Sequence, residues 1–171
     1  MSKVLKILIF YTFLFFGNFV FSQQIVSFNE TYISDENLVY NTQTDKPFTG
    51  KAQRKRKNGH LVYEEEYKNG FIIESTVYYN RTKEPTPATK ILYDEKNNFR
   101  AIKKIQFGLK KNTKMITHFD INGKKKLFES YLDGNLIYSC EYKNNRKHGK
   151  EFCVVDGEEF VIEYINGKKV K

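Results

Sequence analysis

The sequence predicts an all-β fold, an antiparallel meander of successive hairpins. Three observations carry this. Asn-Gly and Asp-Gly pairs punctuate the chain at Asn58-Gly59, Asn69-Gly70, Asn122-Gly123, Asp133-Gly134, Asp156-Gly157 and Asn166-Gly167. Both central residues of a tight hairpin turn need positive φ, which these pairs tolerate. The runs between the turns are five to nine residues long and rich in Tyr, Phe, Ile and Val, the types that suit a pleated, half-buried surface. Beyond the first 22 residues, no stretch keeps an apolar stripe of 3.6-residue period over three turns.

The first element is not part of that fold. "MSKVLK" carries two lysines, "ILIFYTFLFFGNFVF" is a mostly apolar run, and "VFSQQ" offers small residues for cleavage. This is the three-part form of a secretory signal peptide, predicted over 1–22 with the cut between Ser22 and Gln23. The run is shorter than the roughly 20 residues a membrane helix needs. The expectation is therefore an exported protein, periplasmic, cell-surface or secreted, with no transmembrane span after cleavage. Losing Lys3 and Lys6 lowers the formal charge from +9 to +7.

Residues 23–45 hold four acids and no base and read as a lead-in strand or loosely packed segment. The β-repeat domain is expected over 46–171. Its first strand, "GKAQRKRKNG" from Gly50, is strongly basic, and the next carries "EEE" at 64–66. A two-residue loop at Asn58-Gly59 places Lys51 opposite Glu66 and Gln53 opposite Glu64. Such opposite-charge pairs are worth roughly 0.2–1 kcal/mol. The segment 80–90, "NRTKEPTPATK", holds two of the three prolines. Proline cannot donate to a sheet ladder, so this reads as a loop.

The remaining elements repeat. Gly59 to Gly70 spans eleven residues, Gly134 to Asn145 eleven, and Gly157 to Gly167 ten. Each interval closes with an aromatic three residues before its end: Tyr67, Tyr142 and Tyr164. A unit of two strands, about 20 residues long, cannot bury its apolar face alone and must stack on its neighbours. The segments "PFTGKAQRKRKNGHLVYEEEYKNG" (47–70) and "YKNNRKHGKEFCVVDGEEFVIEYINGKK" (142–169), with a weaker copy at 119–142, resemble the MORN-repeat variant family, which has secreted and antitoxin-like bacterial members. The resemblance implies an elongated, largely single-layer antiparallel sheet of successive MORN-like β-hairpins that serves as a binding or structural scaffold without enzymatic activity. Two departures stand out. The strand after "HGK" reads "EFCVV" where the family has Trp or a Tyr pair, and the Pro-containing segment interrupts the array.

Residues with chemical potential are sparse. His60, His118 and His148 lack metal-ligand spacing, and there is no Cys-x-x-Cys, phosphate-binding loop or nucleophile elbow. The carboxylates at 64–66 and 158–159 read as cross-strand partners of lysines. No cofactor, metal or catalytic residue is expected. Cys140 and Cys153 stand out. If the connection 144–149 centres between Arg146 and Lys147, the two lie directly opposite on the face of Tyr138 and Tyr142, with Cα atoms about 4.5–5.5 Å apart, within disulfide range. Two alternatives remain open, a disulfide as an exported protein permits and two buried thiols.

The functional expectation is an exported, non-enzymatic scaffold binding an envelope protein or a polyanionic surface. Arg54 and Arg56, on one face of the basic strand, are the candidate contacts. Export argues against nucleic acid. The alternative is an immunity or antitoxin-like inhibitor of a toxin.

Overall fold

The computed structural model describes residues 24–80, 82–109 and 112–170; the signal-peptide segment and the Ser22–Gln23 cut lie outside them. The strands are β1 (Gln24–Ser27), β2 (Thr31–Ile33), β3 (Val39–Asn41), β4 (Lys46–Pro47), β5 (Gly50–Lys55), β6 (Leu61–Lys68), β7 (Phe71–Tyr78), β8 (Pro87–Tyr93), β9 (Ala101–Phe107), β10 (Thr113–Phe119), β11 (Lys125–Leu132), β12 (Asn135–Lys143), β13 (Arg146–Val155), β14 (Glu158–Ile165) and β15 (Lys168–Lys169). A 3-10 turn at Phe28–Glu30 follows β1. Twelve strands form one open sheet in the order β1, then β5 through β15. From β5 onward each strand pairs antiparallel with the next, so sequence order is spatial order. At about 4.8 Å per strand, the sheet extends roughly 50 Å across its strands. This is the expected elongated meander, with one exception: β1 pairs parallel to β5.

The turn chemistry explains the path. Asn69-Gly70, Asp133-Gly134, Asp156-Gly157 and Asn166-Gly167 take positive φ at both positions and close two-residue hairpins. Asn144-Asn145 does the same without glycine, at φ of 51° and 61°. Asn58-Gly59 does not. Only Gly59 has positive φ there, and the turn spans Arg56–Gly59, closed by the Gly59 N–H on the Arg56 carbonyl at 2.9 Å. A register shift between Arg54 and Lys55 compensates. The body of the ladder therefore holds the expected pairs, Lys51 opposite Glu66 and Gln53 opposite Glu64.

A second regularity follows each of three hairpin turns. Ile73 is left without a partner between Tyr67–Ile72 and Glu66–Glu74. Ile137 is left out in the same way between Tyr131–Leu136 and Ser130–Tyr138. In the β12–β13 pair, Glu141 alone faces the run from His148 to Lys150. Each bulge begins three residues past the second turn residue, and a bulge bends its strand and increases twist.

Three sequence expectations need correction. Of the two readings of the lead-in, residues 24–45 follow the strand and not the loosely packed segment, but they reach past their expected end. β2, β3 and β4 form a small sheet across the expected boundary at 45/46, and Val26 and Val39 are core residues. The Pro-containing loop ends before Pro87. Residues 87–90 begin β8, because Pro at the first position of a strand needs no ladder N–H. Finally, Cys140 lies opposite Glu151 and Cys153 opposite Tyr138. The hairpin turn falls at Asn144-Asn145 rather than around Arg146 and Lys147, and the bulge at 148–150 moves the register again. The cysteines are diagonal neighbours on one face, where Cα atoms are about 7–8 Å apart, and both are free thiols.

The hydrophobic core gathers at one end. Val26, Val39, Phe48, Ala52, Tyr67 and Ile72 form a buried cluster, with Phe28 and Tyr93 packed against it. Backbone bonds seat the small sheet on the large one: Val39 N–H donates to the Gly70 carbonyl at 2.9 Å and Gly70 N–H to the Phe48 carbonyl at 2.8 Å. Asn98 adds a side-chain clamp, accepting from Ile72 N–H at 2.8 Å and donating to the Gly70 carbonyl at 3.0 Å and to the Asn37 carbonyl. This covered end is the counterpart of a repeat array's capping unit.

Candidate functional site

Register assigns side chains to two faces. The row Val26, Ala52, Glu65, Ser75, Ile91, Lys104, Thr117, Phe128, Cys140, Glu151, Ile162 crosses the sheet on the face that carries the core. The neighbouring row Gln53, Glu64, Thr76, Lys90, Ile105, Ile116, Glu129 lies on the other face.

Several carboxylates on the two faces are partnered. Glu64 is buried and accepts from Lys51 at 2.8 Å and Gln53 at 2.5 Å. Burial pushes its carboxyl up, but these bonds and the Lys51 charge outweigh it, so its pKa lies below the usual value. The hydrogen bond to Glu64 in turn raises Lys51. Glu74 pairs with Lys90 at 2.6 Å, and Glu129 with His118 at 2.8 Å. Buried Glu151 accepts from Lys147 and from the Tyr138 hydroxyl. Its desolvation is likewise overcome, by bonds from Lys147, Tyr138 and Tyr164, and its pKa is lowered. Tyr63 and Tyr67 both donate to Glu65. Burial first, and Glu65 second, push both phenols well above the usual tyrosine value.

Other lysines lie over tyrosine rings. Lys114 sits over Tyr131 at 4.6 Å, Lys125 over Tyr142 at 3.6 Å and Lys147 over Tyr164 at 4.9 Å. The spacing from lysine to tyrosine is the same in all three, a repeat period written in contacts. Tyr131, in "SYLDG", holds the same place before its turn as Tyr67, Tyr142 and Tyr164. Sequence reasoning missed it, although the three-residue offset would have found it.

A cluster of cations lies at the turn end of β5 and β6. Among the described residues, Lys55, Arg56, Lys57 and Lys83 form no ion pair, and all four are exposed. Lys55 and Lys83 line a cleft of about 550 Å³ with Gln53, Asn58, His60, Thr82 and Pro85. β6 starts beside this turn and β7 returns antiparallel to it, which brings the loop after Tyr78 alongside. His60 ties the two together, its Nε2 lying 2.8 Å from the Tyr79 carbonyl. A carbonyl only accepts, so the proton of that bond is on Nε2.

Arg54 and Arg56 do not share a strand face as expected. β5 ends at Lys55, and Arg56 opens the turn. Arg54 stacks over the Phe28 ring at 5.4 Å, and Phe28 in turn stacks on Tyr63 at 5.4 Å. Neither arginine lines the cleft; both are exposed and flank Lys55 in sequence. Lys55, Lys83 and His60 are additions that the sequence alone did not single out. They meet through the hairpin return, whose geometry depends on the equal lengths of β6 and β7.

His118 lies in β10, and His148 lies within β13 at its bulge. Among the described residues, no group of three or more His, Cys, Asp and Glu side chains is close enough to hold a metal ion, and no helix is long and apolar enough to cross a membrane. No protein-family model matches the chain, and neither does any curated protein.

Proposed function

We propose that the protein is an exported, non-enzymatic repeat scaffold of the MORN-variant kind that binds an anionic partner, an acidic protein or polyanionic surface of the cell envelope, through the basic end of β5 and its cleft. The observation that carries this reading is the charge of the cleft. Lys55 and Lys83, distant in sequence, line it together with no carboxylate among its lining residues, and Arg56 and Lys57 lie in the adjoining turn. Clustered cations with no partner repel one another, and a bound anion relieves that repulsion. Arg54 and Arg56 add planar donors suited to carboxylate or phosphate.

Binding to anionic vesicles and to a polyanionic glycan, measured across a salt series, tests the proposal. Affinity falls as the screening length shortens from about 10 Å at 0.1 M to about 3 Å at 1 M salt. Lys55→Ala/Lys83→Ala and Arg54→Ala/Arg56→Ala each weaken binding at low salt, with the fold unchanged by circular dichroism. Affinity indifferent to salt and to both double substitutions refutes the assignment.

A further inference from the structure

At the far end of the sheet, the outer edge of β14 is open from Glu158 to Ile162 among the described residues. Its inner side pairs with β13 from Glu158 to Tyr164. Its outer side pairs with β15 at Tyr164 and Ile165. Val170 N–H extends this by one bond, donating to the Glu163 carbonyl at 2.8 Å. That bond fixes which groups face outward. A residue's N–H and C=O point to the same side of a strand, and successive residues alternate. With Glu163 facing outward, Glu159 and Val161 do too, while Phe160 and Ile162 bond inward to β13.

Of the usual protections this edge has only charge. Edge strands are commonly blunted by lysine, proline, bulges or shortness. β14 is eight residues long and contains neither Lys nor Pro, and its pairing with β13 has no register shift. Val161 is 64% exposed and Phe160 44%. The charge it carries is acidic: Glu158, Glu159 and Glu163 with Asp156 just before. Two copies pairing antiparallel through Val161 would set Glu159 against Glu163 twice, and like charges directly opposite destabilise a pair. The strand that does occupy part of the edge shows what fits. Lys168, Lys169 and Val170 run along Ile165, Tyr164 and Glu163.

We propose that the open edge of β14 is a strand-addition site for an extended segment of a partner protein in which lysine or arginine alternates with apolar residues. Backbone groups of Glu159 and Val161 supply the ladder bonds. On one face, basic residues of the incoming strand lie against Glu159 and Glu163, and an apolar residue covers Val161. This site is separate from the basic cleft, at the other end of the strand order, and each reading fails or stands without the other.

The probe is the fluorescently labelled peptide Lys-Val-Lys-Val-Lys-Val-Lys-Val-Lys, titrated with the full chain by anisotropy, alongside its counterpart with Glu in place of Lys. The basic peptide binds at least tenfold more tightly. Val161→Pro removes one outward N–H, keeps every charge and leaves the β13 ladder intact, a position where an edge strand accepts proline. It weakens binding at least tenfold with an unchanged circular dichroism spectrum. Glu159→Lys/Glu163→Lys reverses the preference between the two peptides and keeps the test valid if the proline variant does not fold. Equal affinity of wild type and Val161→Pro overturns the proposal, as does equal binding of both peptides. A concentration-dependent dimer in sedimentation that Val161→Pro abolishes makes a second copy the occupant and also overturns it.

Discussion

Phe48→Ala probes the uneven distribution of the core. Phe48 is 2% exposed, lies in the cluster of Val26, Val39, Ala52, Tyr67 and Ile72, and places its ring 5.7 Å from that of Tyr67. The small sheet closes over this cluster, so deleting the ring leaves a cavity with no route to collapse. Such a deletion costs about 3–5 kcal/mol, a large share of the roughly 5–15 kcal/mol that stabilises a domain. Phe128 is the matched control. Its ring lies 6.0 Å from that of Tyr138, but it is only half-buried on a single layer. Water reaches the space it leaves, and about half the 1.5–3 kcal/mol transfer free energy of a buried side chain is lost, roughly 0.8–1.5 kcal/mol. Urea unfolding followed by circular dichroism gives both values. Hydrogen exchange read by mass spectrometry locates them, since in a repeat array each unit depends chiefly on its neighbours. Phe48→Ala raises exchange in β1 to β7 before β11 to β14. Equal destabilisation by the two substitutions, or uniform loss of protection from Phe48→Ala, refutes the reasoning.

Glu64, Glu129 and Glu151 all have pKa values held below the ordinary 4.5. Their contribution is therefore present above that value and is lost as pH falls below it towards the folded-state values. The urea midpoint drops between pH 5 and pH 3.5, and Glu64→Gln flattens the slope. Gly70→Ala is costlier than Gly134→Ala. Both have positive φ, but a Cβ at Gly70 meets Leu38 Cβ and the Val39 carbonyl at 3.1 Å, whereas nothing lies within 4 Å at Gly134. The open site costs only the left-handed penalty of about 1–2 kcal/mol, and thermal midpoints rank the pair. Both cysteines alkylate under denaturing conditions without reductant, read as two additions by intact mass. In the folded protein Cys153 reacts before Cys140, which is 1% exposed.

The order of the strands was legible because turn residues with positive φ mark nearly every reversal, and spatial order then follows chain order. Register was legible where the error in the turn cancelled. At Arg56–Gly59 the loop is not the expected one, yet the shift beside it returns Lys51 to Glu66. It was not legible where a bulge intervened. The offset of Ile73, Ile137 and the run after His148 depends on local backbone geometry, not on a residue type that announces itself. That is why Cys140 finds Glu151 instead of Cys153. The packing of the lead-in was not legible because its core residues, Val26 and Val39, stand singly among polar ones; Val26 gains meaning from the parallel pairing with β5 and Val39 from the small sheet. The basic end was visible as charge, but its cleft was not, because Lys83 reaches it through a hairpin return rather than through sequence proximity.

The placement of the core has a consequence for how the chain assembles. The residues that need one another most, Val26 to Ile72, leave the ribosome first and can close their cluster before most of the sheet exists. Every later hairpin adds to a finished edge through contacts short in sequence, the kind that form quickly. Growth runs one way, from the closed end outward. Losing or gaining a hairpin near β12 to β14 would change the length of the sheet and leave its foundation untouched.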